Sequence, residues 1–236
     1  MLKFLARALL APVARLIFRP RIIGKANVPK RGAVLIASNH LSFVDSVVIT
    51  LVAPRSVSFL AKAEYFTGTG LRGWVSRSFF SSIGAIPVQR GAGQAAQDAL
   101  DAGLSVLNSG GAFAIYPEGT RSRDGRLYRG RTGVAWLALT SGATVIPVAL
   151  AGTQNLQPVG KRMPRLARVS VEFGAPLDLG HHGTADSGRA RRQATDDIME
   201  SIQQMSGQAF AHEYNEPPAA TVGERVRRVF RRRGRH

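Results

Sequence analysis

Ala33-Val34-Leu35-Ile36-Ala37-Ser38-Asn39-His40-Leu41-Ser42-Phe43-Val44-Asp45 joins an apolar run to a short polar turn carrying a histidine and a carboxylate five residues apart. The run from Ala33 to Ala37 reads as a buried strand that delivers a polar tip. Histidine takes and returns a proton near neutral pH. A neighbouring carboxylate fixes its tautomer and stabilises the imidazolium. On a regular helix, five residues turn through about 500°, leaving His40 and Asp45 roughly 140° apart. The two side chains therefore meet only if the segment turns irregularly between strand and helix. Ser42 is the predicted N-cap of a helix beginning near Phe43, with His40 just outside it. From spacing alone, a base–carboxylate pair competes with a plainer reading. In that reading His40 caps a loop and Asp45 sits in a first helical turn.

Strands and helices alternate on either side of this stretch. Val47 to Val52 reads as helix, stopped by Pro54. Ser56 to Lys62 alternates as a strand, and Ile83 to Val88 is another, with Arg90 at its exit. Gly68 to Phe80 is Gly-rich and lacks a clean period, so it reads as loop and short helix. Ala95 to Leu107 is helical, stopped by Asn108-Ser109-Gly110-Gly111. Ala112 to Tyr116 is a short apolar strand running into Pro117-Glu118-Gly119-Thr120-Arg121-Ser122, a second strand-then-polar-turn unit. Thr132 to Ser141 is a helix, Val145 to Leu150 a buried strand, Arg168 to Phe173 an alternating strand, and Arg189 to Phe210 a helix. The expected fold is α/β, a mixed, mostly parallel sheet flanked by helices. In such sheets functional groups gather beyond the strand ends, where His40, Arg90 and Glu118 to Arg121 all fall.

The 236 residues are 44% hydrophobic, enough for one sizeable core, and contain no cysteine, which excludes disulfides and thiolate chemistry. The net charge of +17 is concentrated at the ends: Lys3, Arg7, Arg15, Arg19 and Arg21 in the first segment, and seven arginines against Glu224 from Gly223 onward. Such ends call for an anionic partner, a membrane surface or a nucleic acid. The basic runs lack interleaved aromatics, which disfavours nucleic acid. In residues 1–18, Lys3, Arg7 and Arg15 continue to Arg19 as a narrow basic stripe on a helix otherwise covered by Leu, Phe, Val and Ile. This is the pattern of a helix lying in a membrane interface, with an ordinary helix packed on the domain as the plain alternative. It is too charged for an ordinary spanning helix, and Arg15 interrupts any signal-peptide core. The expected organisation is an interfacial segment at 1–22, a catalytic domain at 23–214 and a basic disordered tail at 215–236.

Arg121 offers a guanidinium fork for a phosphate, with Lys62 and Arg90 as further cations and Glu118 holding one of them or a substrate hydroxyl. A surface salt-bridge cluster is the plain alternative. A base beside an anion pocket suggests proton removal from an alcohol attacking an activated acyl carbon. Neither a Gly-x-Ser-x-Gly elbow nor a Walker loop is present. His181 and His182 form an adjacent pair of weak metal-binding character, and no metal is expected.

Asn39-His40-Leu41-Ser42-Phe43-Val44-Asp45 resembles the NHxSxxD block of the glycerophospholipid acyltransferase family. Gly84-Ala85-Ile86-Pro87-Val88-Gln89-Arg90 resembles its second block. Tyr116-Pro117-Glu118-Gly119-Thr120-Arg121-Ser122 resembles its third, with Tyr116 where Phe is usual, and Val145-Ile146-Pro147-Val148 resembles its fourth. The order is right and the likeness covers about residues 25–155. The bacterial 1-acyl-sn-glycerol-3-phosphate acyltransferases are most similar. The resemblance implies that His40 is the general base and that Asp45 orients it. It implies acceptor binding by Glu118, Gly119, Thr120 and Arg121, with Lys62 and Arg90 at phosphate-associated positions. It further implies an acyl-CoA or acyl carrier protein donor, no cofactor, and a peripheral place on the cytoplasmic face of the cell membrane, against an anionic leaflet. An acceptor that is another lysolipid or a glycolipid is the alternative with the same chemistry.

Deleting residues 1–18 is expected to release the protein from anionic vesicles more than deleting residues 223–236 does. Equal retention of both truncated forms in a flotation assay would refute the interfacial assignment.

Overall fold

A computed structural model describes residues 19–89, 93–158 and 165–216. The expected amphipathic helix, Arg90 and most of the basic tail lie outside the described residues. Seven strands form one sheet: β1 (Arg21–Ile23), β2 (Val34–Ser38), β3 (Val57–Lys62), β4 (Ala85–Val88), β5 (Ala112–Ile115), β6 (Thr144–Ala151) and β7 (Ser170–Phe173). Their order is β1-β7-β6-β2-β5-β3-β4. The five strands from β6 to β4 are parallel, β7 is antiparallel to β6, and β1 is parallel to β7. The expected mixed, mostly parallel sheet is therefore present. The sheet begins at Arg21, inside the segment read as interfacial helix, because Ile22 and Ile23 pair with Val171 and Glu172 at its edge.

Parallel strands need covered faces, and the sequence provides two. On β2, Val34 and Ile36 point into one buried cluster and Leu35 and Ala37 into the other, as the period of two requires. The first cluster takes Ile49 and Val52 from α1 (Asp45–Val52) and Phe80 from a later helix. The second takes Leu100, Leu104 and Leu107 of α4 (Gln94–Asn108), Val134 to Ala138 of α5 (Gly133–Ser141) and one face of α7 (Gly188–Ser206). On α7, Ala190, Ala194, Ile198 and Ile202 recur every four residues and are buried, and Ser187 caps the start by accepting from the Ala190 N–H at 3.2 Å. Gly207, with φ 64°, ends α7 four residues before the sequence reading placed its end.

The largest difference from expectation lies after β3. Short α2 (Glu64–Thr67) leads into α3 (Gly70–Ser82), a full helix where the sequence suggested loop and short helix. The absent period has a physical reason: α3 buries only Gly73 and Phe80 while Leu71, Trp74, Val75 and Phe79 stand exposed. A helix with apolar side chains on its outer face does not show the polar-outside pattern of a core-packed helix. Gly73 is needed for the turn from α2, since a Cβ there would lie 2.0 Å from the Gly68 carbonyl oxygen. Short α6 (Thr153–Leu156) follows β6. Among the described residues no helix is long and apolar enough to cross a membrane.

Phe113 on β5 is fully buried, against the backbone of Gly103 on α4. Phe113→Ala is expected to cost about 3–5 kcal/mol in urea unfolding, the range for emptying an aromatic core site. A loss below ~1 kcal/mol would mean that α4 does not close over β5.

Candidate functional site

Beyond Ser38 the backbone leaves β2, but the ladder to β6 continues through a side chain. The Asn39 carboxamide donates to the Leu150 carbonyl at 2.9 Å and its oxygen accepts from the Leu150 N–H at 2.8 Å. Asn39 therefore acts as one more rung and frees the main chain to turn. The next residue, His40, is held by its backbone: its N–H donates to Glu118 Oε1 at 3.0 Å and its carbonyl accepts from the Ser122 N–H at 2.7 Å.

Asp45, the first residue of α1, is fully buried. Its Oδ2 receives three bonds: from His40 Nδ1 at 2.8 Å, the Leu41 N–H at 2.7 Å and the Ser42 N–H at 2.8 Å. The irregular turn that the spacing required is thus wrapped around one oxygen. This arrangement corrects the expected cap. Ser42 does not cap α1: Val44 stands at the cap position, no side chain caps the helix, and the Ser42 hydroxyl donates to the Gln157 carbonyl at 3.0 Å. Asp45 closes the helix start from inside. An ionised carboxylate accepting two amides also accepts from Nδ1–H, which leaves the imidazole lone pair at Nε2. The side chain of His40 is 14% exposed.

The imidazole lies flat on Tyr116, with ring centroids 3.9 Å apart and planes 11° from parallel. The Tyr116 hydroxyl bonds to Ser46 Oγ at 2.7 Å, so both rings are held to α1. Burial pushes the Tyr116 phenol well above its ordinary value, Asp45 pushes it further, and the Ser46 bond opposes both. Tyr116 remains neutral beside the imidazole.

Beyond β5, Gly119 adopts φ 76° and reverses the chain so that Thr120 and Arg121 emerge half-buried beside the His40 turn. Glu118, expected to bind the acceptor, lies between the His40 turn and the loop at Tyr128. It is fully buried, and its two oxygens accept the His40 and Tyr128 N–H groups, each at 3.0 Å. It joins the two turns, with one backbone amide on each oxygen. Burial lifts its pKa to about 7, the two amide bonds lower it, and Asp45 and Asp124 add smaller upward pushes. Lys62 ends β3 opposite Val88, half-buried and on the same edge of the sheet. Arg90 follows β4 outside the described residues. The turn carrying His40 and Asp45 and the turn carrying Thr120 and Arg121 are thus joined through Glu118 and Ser122, whereas Lys62 shares only the strand-end position.

Several residues of the site carried no readable signal. Asn39 looks like any polar loop residue until its partner, 111 positions away, is known. Phe43, Tyr65 and Phe80 form an aromatic cluster, with Tyr65 and Phe80 stacked at 4.6 Å and Phe43 edge-on to both. Phe79 extends it to the exposed face of α3. His181 and His182 stand apart from these strand ends, on a 3-10 turn before α7, where His182 bonds Asp197 at 2.7 Å. With Asp197 they form a three-residue group with potential metal-ligand atoms within 4.8 Å of one another.

The protein family described as Acyltransferase matches residues 19–151. A chloroplastic 1-acyl-sn-glycerol-3-phosphate acyltransferase of Arabidopsis thaliana is 31% identical over 144 residues, 61% of this chain and 39% of that protein. A bacterial 1-acyl-sn-glycerol-3-phosphate acyltransferase of Borreliella burgdorferi is 29% identical over 134 residues, 57% of this chain and 52% of that protein. The chain thus matches from about two fifths to half of the length of these relatives. The crystal structure of the 1-acyl-sn-glycerophosphate acyltransferase of Thermotoga maritima superposes with a TM-score of 0.60 at 22% identity, covering 86% of this chain and 82% of that one. That likeness establishes the fold.

Glu118 makes stability depend on pH in a known direction. Its folded pKa, about 7, lies above the ordinary 4.5, so the folded state binds the extra proton between those values. Its contribution is fully present below pH 4.5, falls by about 3 kcal/mol as pH rises to 7, and is level above. Glu118→Gln is expected to remove that slope in urea titrations compared with wild type. An unchanged slope would place the titration elsewhere.

Proposed function

The chain belongs to the Acyltransferase family, and on that premise we propose that it transfers a fatty acyl group from an acyl thioester to the free hydroxyl of 1-acyl-glycerol-3-phosphate, giving phosphatidic acid. The observation that carries this reading is the His40–Asp45 pair, whose bonded Nδ1 leaves Nε2 as a base at the mouth of the strand ends. The acceptor hydroxyl gives its proton to Nε2 as its oxygen bonds to the thioester carbon. Asp45 holds the imidazolium so formed. The tetrahedral intermediate collapses with cleavage of the carbon–sulfur bond, and the leaving thiolate takes the proton back from Nε2. Protons and electrons balance among alcohol, thioester and imidazole, with acyl-CoA or acyl carrier protein as the donor.

Gly119, Thr120 and Arg121 are assigned to the glycerol-phosphate part of the acceptor. Gly119 leaves its backbone open, Thr120 supplies a hydroxyl, and Arg121 a guanidinium able to fork onto phosphate. Lys62, at the same edge, and Arg90 are assigned as supporting cations. Glu118 acts at one remove, by joining the His40 turn to the loop at Tyr128.

The membrane reading is supported by the outer face of α3, where Leu71 is 77% and Trp74 60% exposed. A bilayer interface is the proposed surface for that face, on the cytoplasmic side. Acceptor and product are lipids, and drawing a chain into water costs about 0.8 kcal/mol per CH2. Near an anionic leaflet each basic residue adds on the order of 1 kcal/mol.

Acyl transfer from radiolabelled acyl-CoA to 1-acyl-glycerol-3-phosphate in mixed micelles tests the reading. His40→Ala is expected to lower kcat roughly a hundredfold to ten-thousandfold, the range for removing a general base. Arg121→Ala is expected mainly to raise the acceptor KM. Equal turnover by wild type and His40→Ala would remove His40 as the base.

A further inference from the structure

The matched family region ends at residue 151, yet the last described residues return to the site. After Gly207 the chain runs beside residues 125–131. The Leu127 N–H donates to the Ala209 carbonyl at 2.9 Å, the Ala211 N–H to the Leu127 carbonyl at 2.8 Å, and the Arg129 N–H to the Glu213 carbonyl at 2.9 Å. This strap is anchored at both ends to functional turns. At its start, Gln208 Oε1 accepts from Asn39 Nδ2 at 2.7 Å, next to His40. At its end, Asn215 Nδ2 donates to the Thr120 carbonyl at 3.2 Å, inside the Glu118–Arg121 turn. Asn215 is 8% exposed, although the sequence reading placed it in a disordered tail.

The strap also fixes an arginine that the sequence reading did not select. The Arg131 backbone N–H donates to the Pro117 carbonyl at 2.8 Å, and its guanidinium donates to the Asn215 carbonyl at 3.4 Å. The guanidinium carbon stands 5.6 Å from the centre of the Tyr214 ring, whose neighbourhood Arg129 shares at 5.3 Å. Arg131 lies directly against Gly119: a Cβ there would approach Arg131 Nε to 2.8 Å. The missing side chain at 119 is what admits this guanidinium to the turn that carries Thr120 and Arg121.

Resting on the acceptor assignment above, we propose that Arg131 is a second guanidinium of the acceptor-phosphate pocket, and that the 208–215 strap, through Tyr214 and Asn215, positions it. A phosphate monoester near neutral pH carries up to two charges and offers three terminal oxygens, more than one guanidinium fork satisfies. Arg131 lies against Gly119 and is tied to the turn that carries Arg121 through its bond to Pro117. A carbonyl and an aromatic face hold it without neutralising it.

Steady-state kinetics on the full chain test this, with KM measured separately for 1-acyl-glycerol-3-phosphate and for acyl-CoA, whose phosphates are the other source of the same chemistry. Arg131→Ala is expected to raise the acceptor KM about tenfold or more, the scale of one charge-assisted hydrogen bond, with the acyl-CoA KM unchanged. Arg131→Lys should recover part of the loss. Asn215→Ala should raise the same KM by a smaller factor at unchanged kcat. Arg131 is exposed, so its variants are expected to melt with wild type, and they decide the matter if Asn215→Ala is poorly folded. A wild-type acceptor KM in Arg131→Ala, or a rise confined to acyl-CoA, overturns the inference and leaves the proposed function standing. Wild-type transfer that is His40-dependent but indifferent to phosphate on the acceptor overturns the acceptor assignment and the inference together.

Discussion

One oxygen, Asp45 Oδ2, receives three donors within 2.8 Å, and the geometry of the site depends on it. A carboxylate wholly removed from water is costly unless it is hydrogen-bonded and paired. Here two backbone amides and an imidazole compensate Oδ2, while Oδ1 is buried with no hydrogen-bond partner among the described residues. The same contacts bend residues 40–45 away from helical geometry, start α1 and orient the imidazole. Chain direction, helix initiation and tautomer are consequences of satisfying one buried charge.

The sheet order then decides what stands near that turn. β2 lies between β5 and β6, so the residues after Ser38, Ile115 and Ala151 leave the sheet on one edge. The neighbours of His40 follow from this: Tyr116 and Glu118 from beyond β5, and Leu150 near the end of β6. Glu118 and Asn39 lock the exits to one another through backbone groups. A small displacement of either turn is thereby resisted by bonds on both sides of the imidazole.

Much of this was legible in sequence because it is periodic or local. The strands at 57–62, 112–115 and 144–151 and the helices at 94–108 and 133–141 all bury one or both faces, and their apolar spacing shows it. His40 and Asp45 sit at short separation after a strand, where chemistry is expected. What escaped was non-local or inverted. α3 turns its apolar residues outward, and Glu118 turns a charge inward. Asn215 is a polar residue in a basic, proline-containing stretch, and only its contact with Thr120, across 95 positions, marks it as part of the folded domain. Tyr116 stands where the resembling block usually has Phe, and sequence alone gives its hydroxyl no role. In the structure its hydroxyl, bonded to Ser46, anchors the ring on which the imidazole lies.

The long reach of Asn39 bears on when the site comes into being. Its carboxamide waits for Leu150, 111 residues on, and for Gln208, 169 residues on. During synthesis the histidine turn is made early, but the strand that receives it and the strap that closes it follow more than a hundred residues later. Contacts of such separation form late and slowly, because long loops must close first. On the proposed function, a growing chain carries the whole histidine block without an assembled base, and competence arrives only with the end of the folded domain.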